Sequence, residues 1–144
     1  MTYTYKYPRP ALTVDCVIFS ADTGNREVVL IQRENYPFEG MWALPGGFVD
    51  MDETVEEAAA RELKEETGLS GMDLEQLHTF SAIDRDPRGR TISVVFYGFA
   101  DKDEKSIVAG SDARNVKWFN IDNLPELGFD HNEIIDLALN NCFK

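Results

Sequence analysis

A chain of 144 residues, 43% of them apolar, has enough material for one domain with a real core, and its apolar runs are too short to cross a bilayer. The formal net charge of −12 argues against a nucleic-acid surface, which needs a basic patch; an anionic ligand would need local arginines or bound divalent cations. The polar, tyrosine-rich start is unlike a secretory signal, so a cytoplasmic location is expected, and Cys16 and Cys142, without metal spacing, read as thiols and not as a disulfide.

Residues 1–10 read as an N-terminal arm in which Tyr3, Tyr5 and Tyr7 alternate. One face of such an extended arm is aromatic, suited either to stacking on a base or to packing on a second subunit in a homodimer. Residues 11–20 and 27–32 are expected strands with "ADTGN" as the turn between them, and "ENYPFEGMWALPGG" is a loop punctuated by Pro and Gly. A helix follows over 54–67, opened by the capping box Thr54 to Glu57 and stopped by Gly68. Strands are expected at 74–83, 91–100 and 116–120, the first two separated by the basic turn "DRDPRGR". A last helix spans 130–142, with a second capping pattern from Asp130 to Glu133 and Ile134, Ile135, Ala138 and Leu139 as its packing side. Trp42 and Trp118 read as core, His131 as a helix-start residue, and His78 as having no metal partner. The order of elements is no repeating βαβ, which points to an α+β fold, an α/β/α sandwich with a mixed sheet, as a single domain over 1–144.

The first helix carries the chemistry. At about 100° per residue, Val55, Ala58, Ala59 and Glu66 fall within roughly 60° of Glu62, and Glu65 lies beside them. Glu62 and Glu66 therefore share the arc that should face the sheet, whereas Glu56 and Glu57 suit a solvated face. Carboxylates at i, i+3 and i+4 repel or take up protons when partly buried, and cations remove that cost. An all-oxygen set on a rigid helix suits Mg²⁺ or Mn²⁺.

From Gly47 through Glu53, Arg61-Glu62-Leu63 and Glu65-Glu66 to Gly68-Leu69, the stretch resembles the Nudix box of the Nudix hydrolases at each fixed position. "PFEGMWALPGGFVD" and "VKWFNIDNLPELGFDH" are similar to the family's flanking segments, so the resemblance covers most of the chain. It implies a Nudix fold and hydrolysis of a nucleoside diphosphate linked to another moiety, with Mg²⁺ or Mn²⁺. Carried over position by position, Glu62, Glu65 and Glu66 would ligate metal with the Gly47 carbonyl nearby, and Glu53 with Arg61 would fix the loop on the helix. A base from outside the box has two candidates, Glu104 and Asp112, and the sequence does not choose between them.

The substrate must be read elsewhere. Arg85, Arg88 and Arg90 form either a solvated turn or a phosphate clamp, since the guanidinium fork suits phosphate oxygens. "SAIDRDPRGRTISVVFYGF" resembles the ADP-ribose pyrophosphatase branch and its transcription-regulator relatives, which implies ADP-ribose, cleaved to AMP and ribose 5-phosphate. Arg33 and Phe38 are expected contacts for phosphates and base. Two other readings stand beside this one: a nucleoside triphosphate pyrophosphohydrolase, and a non-catalytic ADP-ribose sensor. A complete set of box carboxylates and a chain ending at Lys144, with no room for a fused DNA-binding module, are expected of an enzyme more than of a sensor.

Overall fold

A computed structural model describes residues 2–21, 24–110 and 113–143; Asp112 lies outside these described residues. In chain order they form strands β1 (Ala11–Ser20), β2 (Glu27–Arg33), β3 (Trp42–Ala43) and β4 (Gly46–Phe48), helix α1 (Val55–Thr67), strands β5 (Glu75–Phe80), β6 (Thr91–Ala100) and β7 (Ala113–Asn120), and helix α2 (His131–Cys142).

The strands make one mixed sheet, and its irregularity creates the site. β1 runs parallel to β6 along its whole length, from Ala11↔Thr91 to Ser20↔Ala100. Its other edge is shared: Thr13–Asp15 pair with β4, and β2 is met only at Phe19↔Val28. β2 gives one edge to β7 and, near its far end, the other to β3. β1 and β2 therefore splay apart, with residues 42–48 wedged between them and tied by the Cys16 amide to the Pro45 carbonyl at 2.8 Å.

Alternation along the strands sorts side chains to two faces. Val14, Cys16, Ile18 and Phe96 pack with Ala58, Ala59 and Leu63 of α1. Val17, Phe19, Leu30 and Val95 pack with Ile134, Ile135 and Ala138 of α2. Because both faces are covered, β1 reads as a nearly continuous apolar run. Full burial of side chains such as Ile18, Leu30 and Ile134 contributes on the order of 1.5–3 kcal/mol each. The result is a mixed sheet between two helices, an α/β/α sandwich.

Some details differ from the reading of the sequence. β3 and β4 lie inside the segment read as loop; they are too short to show a period of two, and Pro45 and two glycines interrupt them. β5 stops at Phe80 and β7 begins at Ala113, each by three residues from the expected end. The capping pattern at Asp130 is not used. That carboxylate makes no cap hydrogen bond and instead accepts two from Arg85, Nε at 2.9 Å and Nη2 at 2.7 Å. A charge-assisted fork to a buried guanidinium outweighs one bond to a helix amide. Both cysteines are free thiols. Among the described residues no helix is long and apolar enough to cross a membrane.

Candidate active site

Where β1 and β2 part, a cavity of about 400 Å³ opens, within the range of small-molecule sites. Glu62 and Glu66 of α1 line it together with Arg33, Arg85, Arg88 and Asp15. Carboxylates and guanidiniums thus meet in one place.

The acidic wall is built locally. The Thr54 hydroxyl and the Glu57 carboxylate exchange hydrogen bonds with each other's amides in a complete capping box, and Gly68 ends the helix at φ 80°. Arg61 reaches back to the loop before α1. It forks onto Glu53 (Nε–Oε2 2.9 Å, Nη2–Oε1 2.6 Å) and donates to the Phe48 carbonyl, while Glu53 also accepts from the Asp50 amide. These bonds hold the Glu53 carboxyl down to about 2 and raise Arg61. Arg61 Nη1 also contacts Glu62 at 2.8 Å and Glu65 at 3.2 Å. One cation therefore serves several carboxylates, and the wall keeps an excess of negative charge.

Glu66 is the buried member, 7% exposed. Its Oε1 accepts the Gly46 amide at 2.7 Å, yet burial pushes its pKa up to about 8. Glu62 lines the cavity as well, whereas Glu65 is half-exposed and outside the lining. The backbone of β4 comes very close to both α1 and β1. A Cβ on Gly47 would sit 2.6 Å from the Glu62 carboxyl carbon, and one on Gly46 would sit 2.1 Å from the Val14 carbonyl.

The three arginines of the turn go to three environments. Arg85, its side chain 3% exposed, is held by Asp130. Arg88 lines the cavity, bonded to Asp86 by Nη2 at 2.8 Å and flanked by the rings of Phe48 and Phe129. Arg90 is exposed, bonds the Ala82 carbonyl and is absent from the lining. Arg33 lines the cavity, with Nε bonded to the Pro37 carbonyl at 2.6 Å. Phe38 does not line it; its ring packs edge-on against Phe129, centroids 4.8 Å apart. Glu104 stands in an exposed turn away from the lining.

Two polar residues on the floor were not read as site residues. Asp15 is buried and accepts from the Ser93 hydroxyl at 2.5 Å; burial pushes its carboxyl up to about 7. His131 Nδ1 accepts the Leu44 amide at 2.9 Å, which leaves the proton on Nε2, 3.5 Å from Asp15 Oδ1. Burial lowers its pKa to about 3, so the ring is neutral. The available signal was an aspartate inside the run Leu12–Phe19, apolar apart from it and Thr13, a place where charge is rare without a purpose. His131 does begin α2, but it also lines the cavity.

Among the described residues no three acidic, His or Cys side chains already converge in ligating geometry. Glu66 turns to the Gly46 amide, and Glu62 and Glu65 turn to Arg61. The donor chemistry nevertheless fits a hard divalent cation: oxygen ligands only, an excess of negative charge, and a β4 backbone without side chains against Glu62.

A Nudix domain family model matches residues 9–138. The chain belongs to the Nudix family, and its fold and box place it in that family's class of pyrophosphohydrolases, which act on phosphoric anhydride bonds and generally use divalent metal ions. More particularly, it is 47% identical over 129 residues to the ADP-ribose pyrophosphatase of Methanocaldococcus jannaschii, covering 90% of this chain and 73% of that protein. It is 38% identical over 143 residues to the ADPR responsive transcriptional repressor NtrR of Acinetobacter baylyi, covering 94% of this chain and 56% of the repressor. Among solved structures, the Nudix domain of Shewanella oneidensis NrtR complexed with ADP ribose superposes with a TM-score of 0.89 at 33% identity, over 97% of this chain and 94% of that one.

Proposed function

We propose that the chain hydrolyses ADP-ribose to AMP and ribose 5-phosphate, with Mg²⁺ or Mn²⁺ as cofactor. The observation that carries this reading is one cavity lined both by Glu62 and Glu66 and by Arg33 and Arg88. Similarity to an ADP-ribose pyrophosphatase and to a domain complexed with ADP ribose supports the choice of substrate.

In this reading Glu62, Glu65 and Glu66, with the Gly47 carbonyl, hold the metal. Bound there, a divalent cation offsets phosphate charge and lowers the pKa of a coordinated water. The chain's own residues do the positioning. The Glu53–Arg61 fork locks the loop before α1 to the helix, so that Gly47 and the glutamates keep one geometry. Arg33 and Arg88 bind the diphosphate oxygens, whose charge a protein of net −12 otherwise repels. Arg85 acts indirectly, by holding Asp130 at the start of α2 beneath the cavity. The same proposal keeps the protein in the cytoplasm and gives the exposed Tyr3, Tyr5 and Tyr7 arm to a second copy, which sedimentation of an arm-truncated chain would test.

Turnover with Mg²⁺ on ADP-ribose, NADH, a nucleotide sugar, a diadenosine polyphosphate and the common and oxidised nucleoside triphosphates tests the reading. A clear preference for ADP-ribose is expected. Preference for triphosphates would replace it with nucleotide-pool sanitation. The similarity to a transcriptional repressor favours a second reading, an ADP-ribose sensor, whose signature is ADP-ribose binding without turnover.

A further inference from the structure

Phe129 is held in an unusual way. It has a φ of +55°, in the left-handed region that a bulky residue rarely adopts, and its contact Phe38 has a φ of +59°. Such backbone persists only where the surroundings over-determine it. Here the Gly128 amide is bonded to the Trp42 carbonyl at 2.9 Å, and a Cβ on Gly128 would press on the Phe38 ring at 3.0 Å. On its other flank the His131 ring lies 5.2 Å away.

Ordinary apolar packing would bury this ring among aliphatic side chains. Instead Phe129 lines the cavity and gathers cations: the Arg33 guanidinium lies 5.1 Å from its centroid and the Arg88 guanidinium 5.6 Å. Arg88 is also 4.8 Å from the Phe48 ring. Two guanidiniums this close oppose each other; Arg33 is lowered by burial and then by Arg88. The electron-rich ring offers attraction to both.

We propose that Phe129 is a positioning residue that holds Arg33 and Arg88 as a pair matched to a diphosphate. The proposal rests on the reading of these two arginines as diphosphate contacts. It requires the ring and not the residue's backbone. Phe129→Gly tolerates the positive φ and removes the ring, whereas Phe129→Tyr keeps a ring of the same type. Magnesium pyrophosphate, which lacks both adenosine and ribose, is the probe in calorimetry, alongside kcat and KM for ADP-ribose. The expected result is affinity about tenfold weaker in Phe129→Gly, from two partly desolvated cation–π contacts. KM for ADP-ribose should rise about as much with kcat within roughly twofold, and Phe129→Tyr should behave as wild type. Equal pyrophosphate affinity in Phe129→Gly, a loss confined to kcat, or equal loss in Phe129→Gly and Phe129→Tyr would each overturn it, as would wild-type protein that does not bind the probe. Ring-dependent pyrophosphate binding by a wild type inert towards ADP-ribose would keep the role of Phe129 in pairing Arg33 with Arg88 and sink the substrate reading.

Discussion

The two walls of the cavity are built by opposite strategies. The acidic wall belongs to one helix and the loop before it. Its charges lie within 20 residues, and the Glu53–Arg61 fork joins positions 8 apart. The basic wall is assembled from distant parts. Arg33 ends β2, Arg88 sits in the turn before β6, and Phe129 precedes α2. Such a difference separates chemistry from selectivity: a local, rigid wall can be kept as a unit while the assembled wall changes with the ligand.

If that division holds, the variants should fall in a definite order. Glu66→Gln strikes the acidic wall at its buried member and should reduce kcat at least about a hundredfold, read by turnover with Mg²⁺. The same variant should be more stable at alkaline pH. Folded Glu66 titrates near 8 against an ordinary 4.5, so the folded state holds the extra proton and its advantage is lost as pH rises through about 8. Thermal melts in EDTA at pH 9 should therefore show Glu66→Gln higher by about 5 °C or more, with no gain at pH 4. An equal Tm at pH 9 would mean that the carboxylate is not strained there.

Arg85→Met should act on stability first. It removes the buried guanidinium to which Asp130 is forked, a change that costs about 3 kcal/mol or more and about 10 °C in Tm. A variant that melts normally but loses substrate affinity would move Arg85 into the clamp. Arg88→Ala should raise KM for ADP-ribose about tenfold with a smaller change in kcat, and Arg88→Lys should restore only part, since an ammonium lacks the planar fork. The smallest effect belongs to Arg90→Ala, expected within about twofold of wild type because the side chain is exposed and its bond is to a backbone carbonyl. If Arg90→Ala matched Arg88→Ala, the turn would be a uniform cationic patch and the comparison of walls would fail.

Much of the acidic wall was legible from sequence. The arc shared by Glu62 and Glu66 with Ala58 and Ala59 appears in the structure as Glu66 buried like those alanines and Glu62 at the cavity. "DRDPRGR" was legible only as charge. Nothing within it distinguishes Arg85, which meets Asp130 at a separation of 45 residues, from Arg90, which meets solvent. Phe38 was expected at the ligand and instead supports Phe129, because the path of residues 34–41 follows from the splay of β1 and β2 and not from local pattern.

By itself, then, the sequence determined the α1 helix, its caps and the alignment of its glutamates, because a helical repeat and a capping box are decided within a few residues, whereas the Glu53–Arg61 fork was implied by the resemblance to the Nudix box. Only the tertiary structure decided which arginines face the cavity, why Asp130 abandons its cap, and that Asp15, bonded to Ser93, shares one floor with His131. Parallel pairing of β1 with β6 joins Asp15 to Ser93 across 78 residues, and no local periodicity reports a contact made by a long crossover.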